Sequence, residues 1–126
     1  VVTVFISKIM NDEPITVFGD GSNTRPFTYV GDIVEANMLA ANSTDTSILG
    51  ETFNVTSGKS VSISDLISAI STKLGKKPRI VYGKERMGEI KHMVADITKI
   101  RQKMKFKPTV AMQEGVFRTV EYYAKI

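Results

Sequence analysis

Residues 14–32, PITVFGDGSNTRPFTYVGD, constrain the rest of the chain more than any other stretch. A β-type run (Ile15, Thr16, Val17, Phe18) meets a turn cluster from Gly19 to Asn23. A second β-type run (Phe27, Thr28, Tyr29, Val30) follows, and Asp32 is placed to cap a helix over Ile33 to Ala41. One guanidinium, Arg25, stands between the runs in a segment poor in charge. A lone arginine at such a junction is either a surface ion-pair partner or a fork positioned for an anion.

The flanking sequence supplies helices around these strands. Phe5, Ile6, Ile9 and Met10 form one apolar stripe within Val4 to Asn11, and Pro14 stops that helix. Glu51 to Val55 (ETFNV) reads as a strand, and Arg79 to Tyr82 (RIVY) as another. Between them, Ser62-x-x-Asp65 has the form of a capping box before Ile63, Leu66, Ile67, Ile70 and Leu74, which share a helical face. Gly75 and Pro78 end that helix. Asp96 can cap a helix to Met104, and a last helix from about Met112 turns Met112, Val116, Val120 and Tyr123 inward, with Ala111 at its weak cap position. Strands and helices alternate, so the expected class is α/β, or an α+β fragment, in one segment spanning residues 1–126. The strand candidates are few and dispersed. That predicts a thin sheet with faces left to cover.

Composition narrows the function. The chain has no cysteine, which excludes disulfides and thiolate metal sites and fits a reducing, cytoplasmic setting. No apolar run reaches the ~20 residues of a membrane span. The chain opens Val-Val directly into structured sequence, without a secretory leader, and is expected to be part of something longer. Net charge is +4 and the pI is about 9.4. Such a balance suits a nucleic-acid module, a solvated lysine-rich surface, or a site for an acidic small molecule. The densest basic stretch, Lys99 to Lys107, interleaves its charges with Ile100, Met104 and Phe106 and reads as the wet face of an amphipathic helix.

Several patterns fall away on inspection. Ser57-Gly58-Lys59-Ser60 invites a phosphate-loop reading, but Phe53 stands where that motif needs its first glycine. Asn42-Ser-Thr and Asn54-Val-Thr match glycosylation sequons by pattern only. His92, the one histidine, has no metal-type carboxylate pattern around it. Arg86-Met-Gly-Glu89 is sharper: it follows a strand in a glycine-flanked loop, with a carboxylate three residues after an arginine. Arg25 and Arg86 together could clamp a diphosphate, and Glu89 could accept hydrogen bonds from sugar hydroxyls.

Taken in order, GDG-x3-R-x-FTYV-x-D-I and R-x-G-E-x4-VAD resemble motifs in the C-terminal portion of the extended short-chain dehydrogenase/reductases. Within them the likeness is greatest to NAD-dependent nucleotide-sugar epimerases. The likeness covers nearly the whole chain. It implies the nucleotide-sugar-binding part of a UDP-hexose 4-epimerase, interconverting UDP-glucose and UDP-galactose. Alternatives are the same part of a dehydratase, decarboxylase or reductase or, from another class, a basic nucleic-acid-binding module. By resemblance, Arg25 and Arg86 contact the diphosphate of a UDP-sugar. Thr16, Val17 and Phe18 lie along the uracil, and Glu89 stands where the family has the aspartate that contacts the ribose.

The resemblance also implies what the chain should lack. The family's glycine-rich dinucleotide loop and its Tyr-x-x-x-Lys pair belong to an N-terminal Rossmann half. Tyr122-Tyr123 has no lysine four positions on. The chain alone is therefore expected to hold no NAD, to carry no catalytic residue and to be inactive. The Ile33–Ala41 helix and the Glu51–Val55 strand are expected to pack into that missing half. Exposed apolar surface would then drive homo-oligomer formation, with neither nucleic acid nor membrane as partner.

Overall fold

In the computed structural model, which describes residues 1–125, two separate apolar clusters dictate where each element lies. The larger forms where α1 (Val2–Met10), β1 (Ile15–Phe18), α3 (Ile63–Leu74) and α5 (Met112–Tyr123) meet. Phe5, Ile6 and Ile9 enter it from α1, Ile15 and Val17 from β1, Leu66 and Ile70 from α3, and Val116 and Val120 from α5. The helical spacing read from the sequence puts these residues on single faces. The smaller cluster joins Ala36 of α2 (Val30–Ala41) and Ile48 of a 3₁₀ turn (Thr46–Ile48) to Ile97, Ile100, Met104 and Phe106. Ile100 and Met104 belong to α4 (Thr98–Met104). Lys105 then turns left-handed (φ 56°), so Phe106 reaches this core from beyond the helix rather than from its face.

The β-structure is sparse, as expected of this α/β class. β1 pairs in parallel with β4 (Ile80–Gly83), Ile15 opposite Ile80 and Phe18 opposite Gly83, with α3 on the crossover between them. A second pair is antiparallel: β2 (Thr24–Arg25) with β3 (Val61–Ser62). β4 has β1 on one side only, and Val81 and Tyr82 are exposed. The capping box is present: Ser62 Oγ accepts the Asp65 N–H at 3.0 Å, and Gly75 closes α3 at φ 63°.

Three local expectations are corrected. Phe27–Val30 is not a strand; residues 27–29 are irregular, and α2 starts at Val30 because the adjacent β2 pairing ends at Arg25. Asp32 is not the N-cap. It sits inside the first turn of α2, buried, and its carboxylate accepts bonds from Thr109 N–H (2.9 Å), Thr109 Oγ1–H (2.9 Å) and Val110 N–H (3.3 Å). It ties α2 to the segment that leads into α5. Glu51–Val55 forms no ladder: Lys99 bonds Glu51 and the Thr52 carbonyl, so the segment lies on α4 instead of beside another strand. The outer face of α2 is open, with Val30, Val34 and Met38 each more than half exposed. Among the described residues no helix is long and apolar enough to cross a membrane.

Candidate functional site

The site is built on the C-terminal end of β1. Strand alternation sends Ile15 and Val17 into the core and turns Thr16 and Phe18 outward, with Phe18 39% exposed. The ladder sets the backbone too. Ile15 N–H donates to Arg79 O (2.8 Å) and Gly19 N–H to Gly83 O (3.1 Å). In a parallel pair this period directs Val17 toward β4 as well. The N–H and C=O groups of Thr16 and Phe18 therefore point to the opposite edge, where they meet no partner among the described residues. Val17 is thus placed to hold the strand, its side chain in the core and its backbone on the β4 side.

The second part is the loop after β4. Glu89 N–H bonds Arg86 O at 3.2 Å, closing a tight turn with Gly88 at its third position, φ 79°. That φ is what a type II turn requires at this position, and it favours glycine. The turn sets Arg86 and Glu89 side by side. The loop is stitched to β2, where Thr24 N–H donates to Lys91 O (2.8 Å) and Met93 N–H to Thr24 O (3.4 Å), and to the residue before β3, where the Ser60 hydroxyl donates to Met93 O.

These two parts bring the arginines together through their partners. Arg25 Nη2 lies 2.9 Å from Glu89 Oε1, both side chains being about a quarter exposed. Its Nη1 donates to Thr24 O and Ile90 O, each at 2.8 Å. The Arg86 guanidinium carbon stacks 3.9 Å from the centre of the Phe18 ring, a cation–π contact. Gly83 makes room for that ring: a Cβ there would stand 3.1 Å from Phe18 Cδ1. Lys91, another cation of the loop, is held by Glu85 at 3.0 Å, a hydrogen-bonded pair that raises the lysine pKa. In the neighbouring turn Asp20 accepts from the Ser22 hydroxyl and N–H, which lowers its carboxyl pKa. Among the described residues, Glu89 Oε2 is the buried side-chain polar atom that meets no donor.

Of the sequence candidates, Phe18 meets Arg86, Arg25 meets Glu89, and Thr16 shares the open strand edge with Phe18. The braces from Ile90 and Lys91 were missed. Their backbone carbonyls accept from Arg25 and Thr24, 65 or more positions away, for which sequence carries no signal. His92 lies beside Thr24, Nδ1 3.4 Å from Oγ1. Chemically, the site offers two guanidinium groups, an aromatic face, a carboxylate and an unbonded strand edge. Among the described residues no three His, Cys, Asp or Glu side chains converge as metal ligands would. A cavity of about 290 Å³ elsewhere, between Val2, Phe27, Tyr29, Met112 and Tyr123, is lined without any charged side chain.

Over residues 1–119 the sequence matches the family described as GDP-mannose 4,6 dehydratase. It is 34% identical over 122 residues to a putative UDP-glucose 4-epimerase of Methanocaldococcus jannaschii, a match covering 97% of this chain and 38% of that protein. Among solved structures it is similar to a UDP-glucose 4-epimerase from Thermotoga maritima with UDP-glucose. There the TM-score is 0.88 at 32% identity, over 98% of this chain and 39% of that one. It is also similar to a UDP-glucuronic acid 4-epimerase from Bacillus cereus in complex with UDP-glucuronic acid and NAD. That likeness has a TM-score of 0.91 at 31% identity, again over 98% and 39% of the two chains. The chain thus spans a little under two fifths of the length of these relatives.

Proposed function

The chain belongs to the GDP-mannose 4,6-dehydratase family, and from that premise we propose that it is the sugar-nucleotide-holding portion of an NAD-dependent UDP-hexose 4-epimerase. One observation carries the reading. The Arg86–Glu89 turn gathers both arginines, the Phe18 ring and a carboxylate beside a strand edge with free backbone groups. In this reading Arg25 and Arg86 hold the diphosphate by charge-assisted bonds. The outward amides of Thr16 and Phe18, with the Phe18 ring, receive the uracil, and Glu89 takes the ribose hydroxyls. Val17 keeps the strand in place from behind.

NAD does not fit the residues of this chain. Among the described residues, the one strand that runs directly into a helix, β3 into α3, ends on the Ser62–Asp65 cap, which sets a carboxylate where a dinucleotide's pyrophosphate would need free N–H groups. We assign NAD, which supplies reversible hydride transfer, to the rest of a longer parent, together with the catalytic residues. The open face of α2 (Val30, Val34, Met38) is read as the surface that docks on that remainder. Lys73, Lys76 and Lys99 each have a carboxylate partner, so these lysines do not add to a nucleic-acid stripe.

Calorimetric titration of the chain with UDP tests the assignment. Arg25→Ala and Arg86→Ala should each weaken UDP binding by about 1.5–3 kcal/mol, the worth of a charged hydrogen-bonded contact. Unchanged affinity in both variants refutes the clamp.

A further inference from the structure

The two arginines of the site are held by different means. Hydrogen bonds to Thr24 O, Ile90 O and Glu89 fix the Arg25 guanidinium. The Arg86 side chain is exposed and, among the described residues, makes no ion pair and no hydrogen bond. What holds it is the Phe18 ring, whose centre lies 3.9 Å from the guanidinium carbon. A flexible cation with its donors in water keeps one direction only while such a face supports it. The ring in turn depends on a missing side chain. Phe18 stands opposite Gly83 in the β1–β4 ladder. A Cβ on Gly83 would come 3.1 Å from Phe18 Cδ1 and 3.3 Å from Cε1, inside the roughly 3.5–4.0 Å at which carbons pack. Gly83 is not among the glycines with positive φ, so the backbone does not call for it. Within a strand, glycine is otherwise the weaker choice. What a side chain at this position would take is the space of the ring.

We infer that Gly83 is a positioning residue of the anion site: lacking a side chain, it lets Phe18 lie against β4, where the ring carries Arg86. The inference rests on the reading above in which Arg86 takes a phosphate. Phe18 then serves the phosphate end of the site through Arg86, separately from its contact with the base. A side chain at position 83 displaces the ring, and the guanidinium loses its support although no charge has been removed.

The test is calorimetric titration of the chain and its variants with inorganic pyrophosphate, with circular dichroism to confirm that each variant is folded. Pyrophosphate has no base, so any effect of the ring on it is read through the guanidinium. Gly83→Val should bind pyrophosphate about fivefold more weakly than the parent chain, and Gly83→Ala should fall between the two. Phe18→Leu, which removes the ring outright, should show a loss of the same size. In an Arg86→Ala background neither Gly83→Val nor Phe18→Leu should weaken binding further, because no guanidinium is left to position. A folded Gly83→Val with parental pyrophosphate affinity, beside an Arg86→Ala that binds more weakly, overturns the positioning role and leaves the nucleotide reading standing. So does a Phe18→Leu that weakens UDP binding and not pyrophosphate binding, and so does a loss that persists without Arg86. A chain that binds neither UDP nor pyrophosphate overturns both.

Discussion

Replacing Asp32 separates two accounts of the same residue by size of effect. As an N-cap it would be interchangeable with asparagine, and its loss to alanine would cost about 0.5–2 kcal/mol. In the structure it acts instead as a cross-link. One oxygen accepts from both the backbone and hydroxyl of Thr109, and the other accepts from Val110 N–H. Asp32→Asn keeps the first pair but turns an NH₂ toward the Val110 N–H. That sets donor against donor in a buried position and should destabilise by about 1–3 kcal/mol. Asp32→Ala removes all three acceptor contacts and strands two backbone donors, so about 3–5 kcal/mol is expected. That is a large share of the roughly 5–15 kcal/mol available to a domain. Urea unfolding followed by far-UV circular dichroism reads both values. An asparagine variant as stable as the parent would refute the cross-link and restore the cap.

Two further perturbations follow from the surface. Hydrogen bonds from Lys99 to Glu51, from Thr98 to Asp96 and from Lys73 to Glu121 each hold the carboxyl below its ordinary value in the folded chain. A carboxyl lowered on folding adds stability above its unfolded pKa and loses it as pH falls through the folded one, so the melting temperature should drop as pH falls below about 4.5, with little change between pH 5 and 7. A flat profile from pH 5 to 3 would contradict the pairing. On the open face of α2, Val34→Lys with Met38→Glu should shift the chain from a concentration-dependent oligomer to a monomer in sedimentation velocity without lowering helix content. Unaltered association would place the contact elsewhere.

The sequence was most legible where neighbours a few residues apart decide the outcome. Ser62 and Asp65 cap α3 through contacts three residues apart, and the stripes of α1, α3 and α5 bury as their spacing dictates. It was misleading where strand propensity had no partner to satisfy. Glu51–Val55 has β-forming residues, yet Glu51 and Thr52 are claimed by Lys99, 48 and 47 residues away. The Phe27–Tyr29 aromatics failed for a related reason: Tyr29 packs against Gly115 and beneath Arg118 of α5 instead of pairing in a sheet. The site was half visible. Each residue type advertised its chemistry, but nothing in the spacing indicated that Arg25 would meet Glu89, 64 positions on, or that Arg86 would lie on Phe18.

The single-sided pairing of β4 has a bearing on how the chain behaves in concentrated solution. By the ladder period, Ile80 and Tyr82 direct their backbone groups to a side no strand covers among the described residues, which makes Ile80-Val81-Tyr82 a template for recruiting further chains. The sequence surrounds it with gatekeepers: Lys76, Lys77, Pro78 and Arg79 before it and Lys84 after it. A second copy laid along this edge would press the same cations together. Dilute buffer therefore leaves the edge clean and directs self-association to the uncharged flank of α2. Raising ionic strength shortens the reach of that repulsion from about 30 Å at 10 mM salt to about 3 Å at 1 M, so pairing of copies along this edge should grow easier as salt rises.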